Sequence, residues 1–244
     1  HKFDLLGRKD KFLLHLSRSA TLDGYAHVTA ELGHDPHALV VEVGLPPACL
    51  TNPDLKIPTS AVLQLYELTA ARAGVVDFGL RVARTRQFSN LGAVSLVMRE
   101  QPTVRKAVAA LAENIWAQAG GLSLEFDDTA GTVTISASII HQPGTSTRQN
   151  VELALAVLVT LLRRFLGPRW APEMVVFRHR KPANIALHIA TFGCVPLFGQ
   201  DLDAIVLRSA DLDTQIPDAD PGAAAQSARY LEFVAGRRTD DFAE

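Results

Sequence analysis

The sequence predicts an α+β fold: a helical N-terminal part followed by a four-stranded, mainly antiparallel sheet with helices packed on one face. Three observations predict it. Val104, Val108, Leu111 and Ile115 form one stripe at helical spacing, the mark of an amphipathic helix. Past Gly121 the period changes to two. Leu122, Leu124 and Phe126 alternate with Ser123, Glu125 and Asp127, and after a turn at Asp128-Thr129-Ala130-Gly131 the residues Val133, Ile135, Ala137 and Ile139 alternate again, which reads as a hairpin. Beyond the hairpin, single helices and single strands follow one another.

The elements follow in order. Tyr25, Val28 and Leu32 mark a helix that Gly33 and Asp35-Pro36 close. Val40, Val41, Val43 and Leu45 lead into Pro46-Pro47, and Asn52-Pro53 breaks the chain again. After Pro58, Thr59 or Ser60 serves as N-cap of a helix carrying Val62, Leu63, Leu65, Tyr66 and Leu68 and closed by Gly74. Phe78 to Arg86 is helical, Leu91 to Met98 is apolar, and Pro102-Thr103 opens the striped helix that Gly120-Gly121 ends. Gln142 to Asn150 is polar and rich in turn residues. Val151 to Leu166 is apolar on nearly all sides and is predicted as a buried helix, stopped by Gly167-Pro168. Met174 to His179 is the third strand, with Val175, Phe177 and His179 on one face. Pro182 to Phe192 forms a short helix, Asp203 to Ser209 the fourth strand, Asp211 to Gly222 a loop, and Ala223 to Ala235 a last helix stopped by Gly236. The order after the N-terminal helices is strand, strand, helix, strand, helix, strand.

Composition narrows the function. A chain of 244 residues with 48% hydrophobic residues buries roughly 70% of its unfolded surface and needs no metal or disulfide staple. Its 26 acidic and 24 basic residues leave a net charge of −2, unlike a chain built to hold phosphate backbone. The two cysteines, Cys49 and Cys194, fit free thiols in a reducing compartment. Nothing at the start reads as a signal peptide, and the most apolar stretch, Leu153 to Leu162, is about half of what a bilayer requires; no membrane partner is expected. GxSxG, Walker, GxGxxG, HExxH and CxxC signatures do not occur, so neither cofactor nor metal is expected. His27, His34 and His37, with Asp23, Glu31 and Asp35, match no metal spacing and read as capping and surface residues. Arg178-His179-Arg180-Lys181 and Arg237-Arg238 read as a solvated rim. His179 and His188 stand at a strand end and on a helix, where an imidazole anchors a turn, touches a ligand or acts as a base. The large aromatics fill the core or line an apolar cleft between helices and sheet. Trp116, Phe126, Phe177, His179, Phe192 and Phe198 are the candidate ligand-binding residues.

A longer pattern adds a family. Trp170-Ala171-Pro172, then Val175, Phe177, His179 and Pro182, then Phe192-Gly193-Cys194-Val195-Pro196-Leu197-Phe198-Gly199, then Leu212-Asp213, resembles the N-terminal effector domain of AraC/XylS-type transcription regulators of the "arabinose-binding" class. Gly33 with Asp35-Pro36, Val43-Gly44-Leu45, Pro53-Asp54, Phe78-Gly79-Leu80, Leu91-Gly92 and Pro102-Thr103-Val104 agree with it, so the similarity runs from about Thr21 to Pro221. Thr214-Gln215-Ile216-Pro217 departs from the family's usual run of apolar residues between prolines, which touches only the exit loop.

The resemblance implies a cytoplasmic bacterial sensor that binds a small effector, forms a homodimer and is not an enzyme. In such regulators a C-terminal domain with two helix-turn-helix motifs reads DNA. The expectation is therefore a truncated regulator: residues 1–222 the effector-binding and dimerisation domain, 223–244 the start of a linker to that missing domain, with no nucleic acid bound through this chain. The apolar lining suits a fatty acid, an aromatic compound or a hydrophobic amine at least as well as a sugar. Two other readings stand beside it. One is a dimerisation module without a ligand, with Val62, Leu65, Tyr66 and Leu231 available to an interface or to the core. The other is a hydrolase-like enzyme, which needs Ser209 or Thr191 to meet His188 in space.

Overall fold

The computed structural model describes residues 15–217, 219–220 and 222–230. Leu231, Gly236, Arg237 and Arg238 lie outside the described residues. The chain opens with β1 (Leu16–Arg18) and runs through a 3-10 turn into α1 (Tyr25–Glu31) and α2 (Pro36–Glu42). Asp35-Pro36, expected to end a helix, instead starts α2. The Asp35 carboxylate accepts a hydrogen bond from the His37 amide at 2.9 Å, and Pro36 fills the first helical position, where its missing N–H is no loss. β2 (Lys56–Pro58) pairs antiparallel with β1, a ribbon too short to show alternation in the sequence.

α3 (Thr59–Ala73) ends at Gly74 as expected, but Pro58 is its N-cap. The Thr59 hydroxyl bonds Gly120 O at 2.8 Å and Ser17 Oγ at 2.9 Å, joining the helix to the ribbon and to the chain ahead of the hairpin. α4 (Phe78–Ala83) stops three residues short of Arg86. Tyr25, Tyr66 and Phe78 pack their rings at 5.5–5.7 Å in the centre of this N-terminal layer, and Leu65 and Tyr66 are fully buried beside Val62. These three residues belong to a core, not to an interface.

α5 (Ala93–Arg99) and α6 (Val104–Asn114) follow. Val104, Val108, Leu111 and Ile115 are all buried, so the sequence stripe is the packed face. β3 (Leu122–Thr129) and β4 (Thr132–Ile139) pair from Leu122 opposite Ile139 to Thr129 opposite Thr132. That register leaves Ala130 and Gly131 as a two-residue loop with φ of 55° and 85°, the left-handed pair that matches strand twist in a hairpin. α7 (Arg148–Leu166) starts three residues before Val151, because Gln149 and Asn150 are buried too.

β5 (Met174–Phe177), α8 (Ala186–Phe192), β6 (Leu197–Phe198), β7 (Ala204–Arg208) and α9 (Ser209–Leu212) complete the domain, and residues 222–230 are helical. The sheet order is β3-β4-β7-β5-β6, antiparallel except for β5 with β6. It therefore has five strands rather than the expected four. β6 escapes the sequence because two residues cannot show a period, and α9 is a single turn in what reads as loop. Val133, Ile135, Ala137, Val175, Phe177, Ile205 and Leu207 form one buried sheet face with α6 and α7 packed over it. This second core meets the N-terminal core at α7, whose Leu153 packs against both.

The two halves approach closely where α4 crosses α7. The Gly79 amide donates to Gln149 Oε1 at 2.8 Å, and a Cβ on Gly79 would stand 1.9 Å from the Gln149 carbonyl oxygen. Only glycine allows that crossing.

Candidate functional site

An apolar cavity of about 120 Å³ lies in the seam between the two cores. Its walls come from both halves: Val62 and Leu63 of α3, Leu111 of α6 with Ile115 just beyond it, Leu122 and Leu124 of β3, and Leu153, Val157 and Leu161 of α7. Few polar groups face it, and most are engaged. Gln118 donates to Asn90 O at 3.0 Å and accepts from Arg18 at 2.6 Å. Arg86 holds the chain at Ala20 O (2.8 Å), at Thr21 O and at the Tyr66 hydroxyl. Burial pushes the Tyr66 phenol up, partly countered by the Arg86 guanidinium beside it. Two lining residues, Arg86 and Asn150, each carry a buried atom, Nε and Oδ1, without a hydrogen-bond partner in the protein. A wider, more polar hollow of about 520 Å³ lies beside it, lined by Gln64, Glu67, His141 and Gln142 among others, and shares Thr59 and Leu63 as a common wall.

A second constellation sits where α7 meets the end of β5 and α8. Glu152 is fully buried; its Oε1 is hydrogen-bonded to His188 Nε2 at 3.0 Å and to Arg148 Nε at 3.0 Å, and His179 Nε2 stands 3.2 Å from it without a hydrogen bond. Burial alone would raise this carboxyl, but the two imidazoles and the Arg148 guanidinium outweigh it and hold it at about 2. Nearby Asp203 goes the other way: burial raises it although its carboxylate accepts the Arg178 amide. These separations are those of hydrogen bonds and ion pairs around one oxygen, with a guanidinium among them. Among the described residues, no group of three or more His, Cys, Asp or Glu is placed to hold a metal ion. His27 pairs with Glu31 at 3.2 Å on the surface of α1.

Four of the six residues singled out from the sequence come together here. Phe177 stacks on Phe198 at 5.6 Å and touches His179 at 4.9 Å and Phe192 at 5.7 Å, and His188 closes the cluster against Phe198. Phe177, Phe192 and His188 are fully buried, while His179 and Phe198 are half-buried at the edge of the cluster. Trp116 and Phe126 lie apart, 47% and 39% exposed. None of the six lines either hollow. The cavity residues were missed because they are ordinary core-type aliphatics from both halves of the chain. The one local signal was Asn150, an amide at the head of an apolar helix. The Ser209 hydroxyl bonds Arg105 and Asp128, and the Thr191 hydroxyl, one turn from His188 on α8, has no partner. His188 Nε2 is directed to Glu152 rather than to either.

The comparisons with known proteins place this architecture among regulators. The crystal structure of the transcriptional regulator CdpR from Pseudomonas aeruginosa superposes with a TM-score of 0.55 at 13% identity, over 79% of this chain and 59% of that one, a likeness of fold alone. The chain belongs to the family described as the N-terminal arabinose-binding domain of AraC transcription regulators, whose profile matches residues 33–216. The HTH-type transcriptional regulator VirS of two Mycobacterium tuberculosis strains is 26% identical over 219 residues, 89% of this chain. The chain spans 64% of the length of those relatives. No helix among the described residues is long and apolar enough to cross a membrane.

Proposed function

We propose that this chain is the effector-sensing and dimerising part of a cytoplasmic AraC-type regulator, with the seam cavity as its effector site. Residues 1–222 make up the sensor and 223–244 begin the connection to a DNA-reading helix-turn-helix domain. DNA is bound through that domain and not through this chain. The observation that carries the reading is where the cavity lies. It separates two hydrophobic cores, and α6 runs from it to the exit of the domain. Leu111 and Ile115 line the cavity at one end of this helix. At the other end, Val104 N donates to Thr214 O at 3.0 Å, Ile216 N donates to Pro102 O at 3.0 Å, and Thr103 bridges Gln215.

An effector seated against Leu111 and Ile115 displaces α6, and with it the segment that leads to the helix at 222–230. Such a shift requires that the effector bind the two arrangements with different affinity. The test is a thermal-shift and native mass-spectrometry screen of small metabolites, followed by hydrogen exchange at Val104 and Ile216 with the best binder. Stabilisation with altered exchange at those two amides supports the reading. No binder of any chemical class refutes it.

Dimerisation without an effector is the second reading, favoured by the size of the seam cavity alone: 120 Å³ is below the roughly 300 Å³ of ordinary ligand pockets, whereas the adjoining polar hollow of about 520 Å³ is above it. A chain that sediments as a dimer and is stabilised by nothing would establish it. A monomer at micromolar concentration would remove the pairing from both readings.

A further inference from the structure

The polar groups left over in the seam cavity define what it takes. Among the described residues that line it, Arg86 is the only charged side chain, and the lining contains no carboxylate. No Asp or Glu of the described residues lies within ion-pair distance of this guanidinium. Asp23 is exposed and accepts instead from the Asn90 amide. The two Nη atoms of Arg86 are spent on backbone carbonyls and the Tyr66 hydroxyl, while Nε is buried and unpartnered. Asn150, another residue of the lining, is 92% buried by its 8% exposure and carries the second unpartnered atom.

A guanidinium without a counter-charge is costly in an apolar surround, and an anion placed on it gains a charge-assisted hydrogen bond that water screens little. The rest of the wall is largely aliphatic, and its other polar side chains, among them Ser17, Thr21, Thr59, Asn90 and Gln118, are hydrogen-bonded within the protein. We infer that the cavity takes an apolar monocarboxylate, with the carboxylate drawn to the Arg86 guanidinium and the hydrocarbon along Leu111, Ile115, Leu153 and Val157. The Asn150 amide, which rotates to offer either its oxygen or its nitrogen, is the second polar contact. A hydrophobic amine is repelled by Arg86, and a sugar leaves most of its hydroxyls facing aliphatic carbon. At roughly 10–15 Å³ per water-sized group, 120 Å³ admits a body of about eight to twelve non-hydrogen atoms, whether an aliphatic chain or an aryl acid.

This inference rests on the cavity being the effector site, and the experiment separates the two. Octanoate, phenylacetate and octanamide are titrated calorimetrically into the full chain, alongside Arg86→Met, Arg86→Lys and Ala154→Phe, the last filling the cavity. Octanoate, or phenylacetate if the body is aromatic, is expected to bind at least ten-fold more tightly than octanamide. Arg86→Met abolishes that preference, Arg86→Lys keeps part of it, and Ala154→Phe removes binding of all three. Octanamide binding as tightly as both acids overturns the carboxylate assignment and leaves the cavity as the site. Failure of every probe to bind, or binding indifferent to Ala154→Phe, overturns both. If Arg86→Met does not fold, the acid-to-amide ratio on the unaltered chain decides alone.

Discussion

Glu152→Gln isolates the charge at the hub that joins α7, α8 and the end of β5. The substitution keeps the shape of the side chain and removes only its ionisation. In the folded chain the carboxyl sits at about 2, against an ordinary 4.5. Each factor of ten in proton affinity is worth about 1.4 kcal/mol, so ionised Glu152 contributes about 3 kcal/mol at neutral pH. Its sign follows from linkage. The unfolded chain binds this proton more tightly than the folded one, so the contribution is complete above about pH 4.5 and disappears as pH falls through about 2. Breaking a buried pair carries a similar cost, about 3–5 kcal/mol, because Arg148 loses its counter-charge. For a domain of this size a loss of about 3 kcal/mol is a fall in Tm of roughly 6–12 °C. The assay is urea denaturation of both proteins at pH 7, 5, 4 and 3. Glu152→Gln should lose about 3 kcal/mol at pH 7, and the gap should narrow toward pH 3. A loss below about 0.5 kcal/mol at pH 7, or a gap independent of pH, would refute the reasoning that leads from one guanidinium and two imidazoles around one oxygen to a stabilising charge.

Three further outcomes are expected. Asp203→Asn removes a carboxyl that burial pushes up; its ionisation opposes folding at neutral pH, so stability at pH 7 should stay within about 1 kcal/mol or rise, and the variant should lose the small gain the chain takes from this group in acid. Gly79→Ala drives a Cβ to 1.9 Å from the Gln149 carbonyl oxygen and should cost about 3 kcal/mol by denaturation, because neither backbone can yield without parting α4 from α7. Asp35→Ala deletes the cap on the His37 amide and should cost about 1 kcal/mol, with amide exchange accelerating at the start of α2.

What could be read along the chain was whatever repeats within one element. The stripe of α6, the alternation of β3 and β4, the glycine after α3 and the apolar length of α7 each declare themselves within a few residues, because helix and strand periods are local. The same logic explains the misreadings. β1, β2 and β6 are two or three residues long and show no period, and Asp35-Pro36 carries a start signal that also suits a stop.

The sequence by itself determined the class of fold, the order of its principal elements and the resemblance to a regulator family. Tertiary structure decided which aromatics share an interior and which stand in solvent, that Glu152 gathers His179, His188 and Arg148, and that the hollow is lined by aliphatics drawn from both halves of the chain. Secondary structure is specified by neighbours three or four places away. A cavity is the space left where two cores fail to meet, and no single segment encodes it.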